Sequence, residues 1–395
     1  MITILQEPQY PNVTHNNLMY ALSSSNADKP QYRYIVDVYD SGSANLLTRM
    51  KLYPNENFVG ITDLAPILND YLEYDDLWKA GYVIFNTSSY KDFDIKVGEQ
   101  YATSSYIEPT IYPDLLNTTA SVFAGVVEND SPIDYLDYET SALRWRLSNF
   151  PANQYGDYYY LRPTDYQTIS FIEDGFQKYA DMVIYNDLDV LYSGNIWAQA
   201  TVPKNRMVVF GIGPQNLIDS AAPFTSVLNG EWTSYQISFR YASSRPKVYT
   251  VVNTQNCYYD TTRFAFINKY GVWDYYSVSL PVSKDTRIER KTYTDTFRKY
   301  SGVTSPKVLS NRGKTQYNLT PTDKYKITTE YLNQAESDWL TEMYDSPSVY
   351  VQVGSEFIPI NITSAGYTWK TNPLSQKIFQ HDIEWEYSNA RRSRT

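Results

Sequence analysis

Three acids alternate with apolar residues near the end of the chain: Asp382, Glu384 and Glu386, separated by Ile383 and Trp385 and followed by Tyr387. On a strand they share one face with neighbours roughly 7 Å apart. That spacing lies within the range of an inverting glycosidase pair, where one carboxyl protonates the leaving oxygen and the other activates water. The same alternation also describes a half-exposed strand whose polar face meets water, and this reading is favoured. His381, next in sequence to Asp382, could act as a general base, but no nucleophile partner is recognisable, so it reads as the start of a terminal strand. His15, within Asn12-Val13-Thr14-His15-Asn16-Asn17, reads as a polar loop residue. Glu73, Asp75 and Asp76 beside Trp78 could hold a cation or a sugar, and are expected instead to form the solvated end of a helix.

Other chemistries lack their residues. One cysteine, Cys257, cannot form an internal disulfide or a cysteine zinc site, and two histidines with no HExxH pair leave no metal motif. Gly313-Lys314-Thr315 resembles the end of a phosphate loop, but Val308 stands where the pattern needs glycine. Gly211-Ile212-Gly213-Pro214-Gln215-Asn216 has Asn216 in place of the third glycine of a dinucleotide loop and a proline that removes a donor. There is no GxSxG elbow. The expectation is a protein that is not an enzyme, with no catalytic residue, no cofactor and no metal.

Aromatic clusters are the other candidate. Tyr158, Tyr159 and Tyr160, the pair Tyr258 and Tyr259, and Trp273 with Tyr275 and Tyr276 occupy adjacent or near-adjacent positions, hence both faces of any strand. One face meets the core, and the other must meet solvent, a sugar or another subunit. Tyrosine suits interfaces because it brings large area and a hydroxyl with few rotors. These eight residues are the candidate interface.

The elements that must position these groups are mostly strands. Apolar residues are 42% of the 395, and this figure includes 40 tyrosines, so tyrosine must also help to build the core. Tyr32, Tyr34, Val36 and Val38 alternate, and Asp40-Ser41-Gly42-Ser43 turns the chain into a second strand, Leu46 to Tyr53. Leu64, Ile67, Leu68, Tyr71 and Leu72 predict a helix, capped by Thr62-Asp63, with Pro66 in its first turn. Further strands are predicted at Gly81–Asn86, Phe93–Val97, Ser121–Val127, Gln167–Ile172, Asp181–Tyr185 and Asn195–Val202. Others follow at Met207–Phe210, Ser234–Arg240, Lys247–Val252, Arg263–Asn268 and Ser277–Val282. After Lys324–Thr329 comes a helix from Gln334 to Tyr344, stopped by Ser346-Pro347, and then strands at Ser348–Val353, Glu356–Ile362 and Phe379–Tyr387.

The fold class is mainly β and multi-domain, with β-sandwich or jelly-roll-like domains and a few short helices. The expected domains are residues 1–108, an immunoglobulin- or fibronectin-like sandwich with one inserted helix; 109–305, a Tyr-rich sandwich or jelly roll; and 306–395, a small α+β domain. The opening MITILQEPQYP shows no basic start or apolar core, so no secretory signal is expected. Apolar runs such as Met207–Phe210 fall far short of the roughly 20 residues of a membrane helix. Residues 1–200 carry 11 basic and 27 acidic side chains, whereas 201–395 carry 23 and 17. That polarity suits a head-to-tail contact between copies, and the overall charge of −10 argues against nucleic-acid binding.

Arg263-Phe264-Ala265-Phe266-Ile267-Asn268-Lys269-Tyr270-Gly271-Val272-Trp273-Asp274-Tyr275-Tyr276, then Ile288-Glu289-Arg290-Lys291-Thr292-Tyr293, then Trp339 through Tyr350, carry a resemblance. With the opening Tyr34–Tyr39 strand and Leu64–Leu72 helix, the chain resembles virion proteins of tailed bacteriophages, particularly phages of Bacteroidetes hosts. The resemblance implies a non-catalytic structural part of the tail hub, adaptor or fibre-attachment region. It implies assembly with itself as a ring or trimer and with other virion tail proteins, in the host cytoplasm and then in the virion. It carries over no catalytic residues. Recognition of host surface glycans through exposed aromatic rings is the alternative, and a glycan-degrading enzyme using Asp382, Glu384 or Glu386 is a third reading.

Overall fold

The computed structural model describes residues 1–8, 12–42, 45–74, 83–85, 88–105, 107–126, 147–151, 157–172, 178–187, 189–199, 207–220, 224–241, 247–254, 260–294, 302–304, 313–364 and 379–389. These hold 23 strands and four helices, a mainly β chain built of several sheets. Contacts divide the chain into two compact units. Unit 1 is Met1–Gln255 with Ile267–Asp274, and unit 2 is Asn256–Phe266 with Tyr275–Thr395. The division falls near residue 255, with Ile267–Asp274 joining the first unit.

Unit 1 begins with β1 (Ile2–Gln6), β2 (Asn12–Val13), β3 (Met19–Ser24), β4 (Arg33–Asp40), β5 (Asn45–Leu52), β6 (Val59–Asp63), α1 (Ala65–Asn69), β7 (Ile84–Phe85), β8 (Tyr90–Tyr101) and β9 (Thr110–Phe123). A three-stranded sheet, β1-β3-β6, faces a five-stranded one, β2-β9-β8-β4-β5. Tyr20 and Leu22 from the first meet Tyr34, Val36, Val38, Ile95, Val97 and Val122 from the second in one buried cluster, with Leu64 and Leu68 beside them. The predicted alternation of Tyr32, Tyr34, Val36 and Val38 is thus the core face of β4. The first sandwich needs β9, which lies beyond residue 108. Asp63 caps α1 from one residue further out than a standard cap, its Oδ1 accepting from Leu18 N (2.8 Å) and Ala65 N (2.9 Å).

The second sandwich of unit 1 contains β10 (Asp157–Leu161), β11 (Thr168–Ile172), β12 (Lys178–Asn186), β13 (Asp189–Gln199), β14 (Met207–Gly211), α2 (Pro214–Asp219), α3 (Thr225–Leu228), β15 (Ser234–Tyr241) and β16 (Lys247–Asn253). The sheet β10-β16-β15-β12-β13 packs on β11-β14-β7. Aromatics fill the space between: Phe210 meets Phe239 edge-on with centroids 4.8 Å apart, and Phe239 meets Tyr249 at 5.6 Å. Tyrosine serves this core because its hydroxyl finds an acceptor inside it, as where Tyr235 donates to the Ile212 carbonyl at 2.5 Å.

The remaining elements are β17 (Thr262–Ile267), β18 (Trp273–Val278), β19 (Ser283–Thr294), β20 (Lys314–Thr328), α4 (Gln334–Tyr344), β21 (Val349–Val353), β22 (Glu356–Ile362) and β23 (Asp382–Tyr387), all in unit 2 except Ile267, Trp273 and Asp274. The strands form one sheet in the order β18-β17-β21-β22-β23-β20-β19. A reciprocal cap starts α4: Asn333 Oδ1 accepts from Glu336 N, and the Glu336 carboxylate accepts from Asn333 N, both at 2.9 Å. Trp339 on the helix lies 5.6 Å from Phe266 and 6.0 Å from Tyr276, ring to ring. Helix α4 packs on this sheet, whose strands come from both sides of residue 306.

Candidate functional site

The acidic face of β23 is an ion-pair cluster. Ile383 and Trp385 are buried while Asp382, Glu384 and Glu386 lie on the opposite, more open face. The antiparallel register puts Lys326 of β20 across from Glu384. Its Nζ sits 3.0 Å from Asp382 Oδ2 and 3.1 Å from Glu384 Oε1. Thr328 Oγ1 donates to Asp382 Oδ1 at 2.6 Å. The Thr328 hydroxyl and the Lys326 ammonium hold the Asp382 carboxyl below its usual range, the reverse of what a general acid requires. Lys326 thus bridges two of the three acids.

His381 has a partner the sequence did not disclose. Its Nε2 lies 2.8 Å from Ser337 Oγ on α4, and its backbone N–H donates to Thr329 Oγ1 at 2.9 Å. Both side chains are buried, with the Tyr344 ring centred 6.0 Å from the imidazole. Burial pushes the imidazole down from its ordinary value, so it is neutral at pH 7. A serine–histidine pair closed to solvent in this way ties helix to sheet. His15 is exposed and rests on backbone: its N–H donates to the Gly125 carbonyl at 3.0 Å, and its Nδ1 lies 3.1 Å from the same oxygen.

The glycine motifs are packing devices. Lys314 and Thr315 open β20, in register with Thr294 and Tyr293. A Cβ on Gly213 would lie 2.3 Å from Gln167 N, whose proton goes to Asn216 Oδ1 at 2.8 Å. Asn216 thus stands where a third glycine was sought because it ties α2 to the start of β11. Glu73 is exposed, and Asp75, Asp76 and Trp78 lie outside the described residues. Among the described residues no three His, Cys, Asp or Glu gather as metal ligands, and no helix is long and apolar enough to cross a membrane.

Of the six described residues of the candidate aromatic interface, four are interior. Tyr159, Trp273, Tyr275 and Tyr276 are each less than 10% exposed within the chain's own fold. Tyr158 and Tyr160 are 37% and 63% exposed because β10 alternates, sending Tyr159 inward. Tyr258 and Tyr259 lie outside the described residues. Tyrosine does help to build the core: eleven tyrosines are buried, among them Tyr20, Tyr34, Tyr90, Tyr235 and Tyr249.

The open feature is one that periodicity does not reveal. All twelve residues of β19 are exposed, and β20 pairs with it along that whole length. The pair is a two-stranded ribbon at the edge of the unit 2 sheet. Ile288 is paired with Pro321, and Arg290 with Leu319, placing a small apolar group among cations on one face. That face continues the core side of the sheet, since Tyr325 stacks on buried Trp385 with centroids 5.6 Å apart while Lys284 lies 5.2 Å over the Tyr325 ring. Residues 283–328 hold eleven basic and four acidic side chains, a net of +7 in a chain of net −10. The signal available to sequence was this local charge concentration, diluted when the chain is counted by halves.

No family model matches the chain, and no curated protein matches it. Among solved structures, the fibronectin(III)-like modules of Clostridium thermocellum CbhA are 10% identical, covering 65% of this chain and 95% of that one at a TM-score of 0.16. A mutant of Salmonella alpha-2-macroglobulin is 9% identical, covering 93% of this chain but only 24% of its own, at a TM-score of 0.18.

Proposed function

We propose that this protein is a non-catalytic structural component that works by assembling with copies of itself and with other proteins, in the tail region of a tailed phage particle as its sequence resemblance implies. The observation that carries the reading is the β19–β20 ribbon, twelve residues long and open on every residue of its outer strand. Beyond Tyr325–Thr328, where β20 pairs with β23, the ribbon is two strands wide, and because a two-stranded ribbon is marginal in water, a partner that covers it would support its length. The groups best suited to chemistry support the same reading. Lys326 bridges Asp382 and Glu384, and the serine–histidine pair is buried. Sedimentation of the purified protein, with mass spectrometry of purified particles, tests the proposal. Concentration-dependent oligomers and stoichiometric presence in particles are expected; a strict monomer absent from particles refutes it.

A further inference from the structure

We infer that the outer face of the sheet β10-β16-β15-β12-β13, in the second sandwich of unit 1, is a binding trough for a neutral glycan chain. This site is additional to the assembly reading and independent of it.

Alternation along the strands builds the trough. Tyr159, Tyr249, Tyr235, Phe239, Met182 and Ile184 belong to the core of the sandwich, so their neighbours along each strand face outward. On the first strand of the sheet, β10, Tyr158 and Tyr160 are exposed, and on the fourth, β12, Tyr179 and Tyr185 stand partly open. The two strands between them carry mostly shorter groups on this face: Thr250 and Val252 on β16, and Ser234, Gln236 and Ser238 on β15. The register lines these up in rows. Tyr158, Thr250, Gln236 and Val183 make one, and Tyr160, Val252, Ser234 and Tyr185 make the next. Rings on the outer two strands and small side chains on the inner two leave a channel along the strands, about 14 Å across from three strand spacings. A polar cluster lies at one end of it. Arg240 Nη2 is 2.5 Å from Asp181 Oδ2, Asn195 Nδ2 donates to Asp181 Oδ1 at 3.1 Å, and the guanidinium carbon is 5.8 Å from the Tyr179 ring centroid.

These groups select the ligand. Tyrosine offers a rigid flat surface with few rotors, on which the C–H face of a sugar ring can stack. A few placed hydroxyl and amide groups then fix orientation, and Gln236 makes no side-chain hydrogen bond among the described residues. Charge narrows the class: Arg240 is paired with Asp181, so it offers no free cation to a phosphate, sulfate or uronate. Area decides against a protein. Five residues of strand, about 17 Å, by about 14 Å give roughly 240 Å², far below the roughly 800 Å² each partner brings to a standard interface. A few sugar units fill that space.

Isothermal titration of the full chain with cello-, malto- and manno-oligosaccharides is the test, with polygalacturonate and single-stranded DNA as anionic comparisons. Submillimolar binding of at least one neutral probe is expected. Tyr160→Ala and Gln236→Ala should each weaken it at least about fivefold. Tyr331→Ala, which removes an exposed ring of unit 2, should leave it unchanged. Circular dichroism serves as the control for folding. No binding of any neutral probe overturns the inference, and so does binding that both trough variants leave intact. Tighter binding of polygalacturonate or DNA than of every neutral probe overturns it as well. Trough variants that weaken self-association while no sugar binds give the face to a second copy and also overturn it. The assembly reading stands or falls separately, on sedimentation and particle composition.

Discussion

Gly271 sits where two stretches of backbone touch, and replacing it with alanine should be among the most damaging single changes in the chain. Its φ is +74°, and a Cβ there would lie 1.3 Å from the carbonyl oxygen of Ala124 and 2.5 Å from its carbon. Gly125 returns the contact: a Cβ on it would stand 2.8 Å from the Lys269 carbonyl oxygen, and Val126 N donates to that same oxygen at 2.6 Å. Asn268 holds the turn in shape. Its Oδ1 accepts from Tyr270 N at 2.9 Å, while its Nδ2 donates to the Leu147 carbonyl at 2.8 Å and to Asp274 Oδ2 at 3.1 Å.

The cost has three parts. Left-handed backbone for a non-glycine residue costs about 1–2 kcal/mol. Relieving the clash requires the two backbones to separate by about 2 Å, which removes the Val126 hydrogen bond, worth about 1 kcal/mol. The same shift loosens Tyr270 and Val272 in their cluster with Val13, Tyr90 and Phe123, worth about 1–2 kcal/mol. The sum of about 4 kcal/mol lowers Tm by roughly 8–16 °C for a unit of this size. Gly354→Ala is the control, because Gly354 has φ +66° with nothing within 4 Å of its Cβ, and should lose only about 1 kcal/mol. Calorimetry of both variants checks the reasoning. A Gly271→Ala loss no larger than that of Gly354→Ala would refute the claim that close backbone approach dictates this glycine.

Other expectations follow from the ionised and buried groups. His381 is held neutral by burial, so its folded pKa lies below 6.5 and the unfolded chain takes up its proton first. This contribution is complete above pH 6.5 and declines as pH falls toward the folded value, a slope that His381→Gln should lack in urea midpoints taken from pH 7.5 to 5. Asp37 is 1% exposed and accepts both nitrogens of Arg49 at 2.7 Å, so Arg49→Met should cost about 3 kcal/mol by stranding a buried carboxylate. Lys326→Met, among acids that are half open to water, should cost under about 1 kcal/mol in the same denaturation assay. Trp339→Ala should cost about 3–5 kcal/mol by emptying the space between α4, Phe266 and Tyr276.

What could be read from the sequence depended on whether an element had a dry side. The helix predicted from Gln334 to Tyr344 and the strand from Glu356 to Ile362 have those same ends in the structure. Each carries its own boundary marks and one buried face, Trp339, Leu340 and Met343 on the helix, Phe357 and Ile360 on the strand. The strand at Ser277–Val282 was misplaced: the observed one is Trp273–Val278, with four of its first five residues buried and no alternation to set its ends. Tyrosines misled for a related reason. Adjacent rings suggest an outer surface only if each strand has a single buried face, yet Trp273, Tyr275 and Tyr276 are all buried. β19 failed in the opposite way. Ser-Lys-Asp-Thr-Arg-Ile-Glu-Arg-Lys-Thr-Tyr-Thr has no apolar period because neither face is buried, and its pairing with β20 is a long-range fact that local pattern does not encode.

The β19–β20 ribbon bears on the proposed assembly, which charge segregation would serve better than neutrality. Two chains of net −10 repel, and the Debye length of about 8 Å at physiological salt confines that repulsion to near contact. Body-to-body approaches then bring like charges together and are disfavoured, whereas ribbon-to-body approaches bring two strands with seven basic and three acidic side chains toward a surface of opposite sign. Selectivity arises because most wrong orientations are penalised while one geometry is rewarded, even if each exposed ion pair contributes under about 1 kcal/mol. A uniformly mixed surface with the same side chains would keep the individual pairs and lose that contrast. On the assembly reading proposed above, the placement of the cations along β19 and β20, rather than their number, is what would favour one orientation over the others.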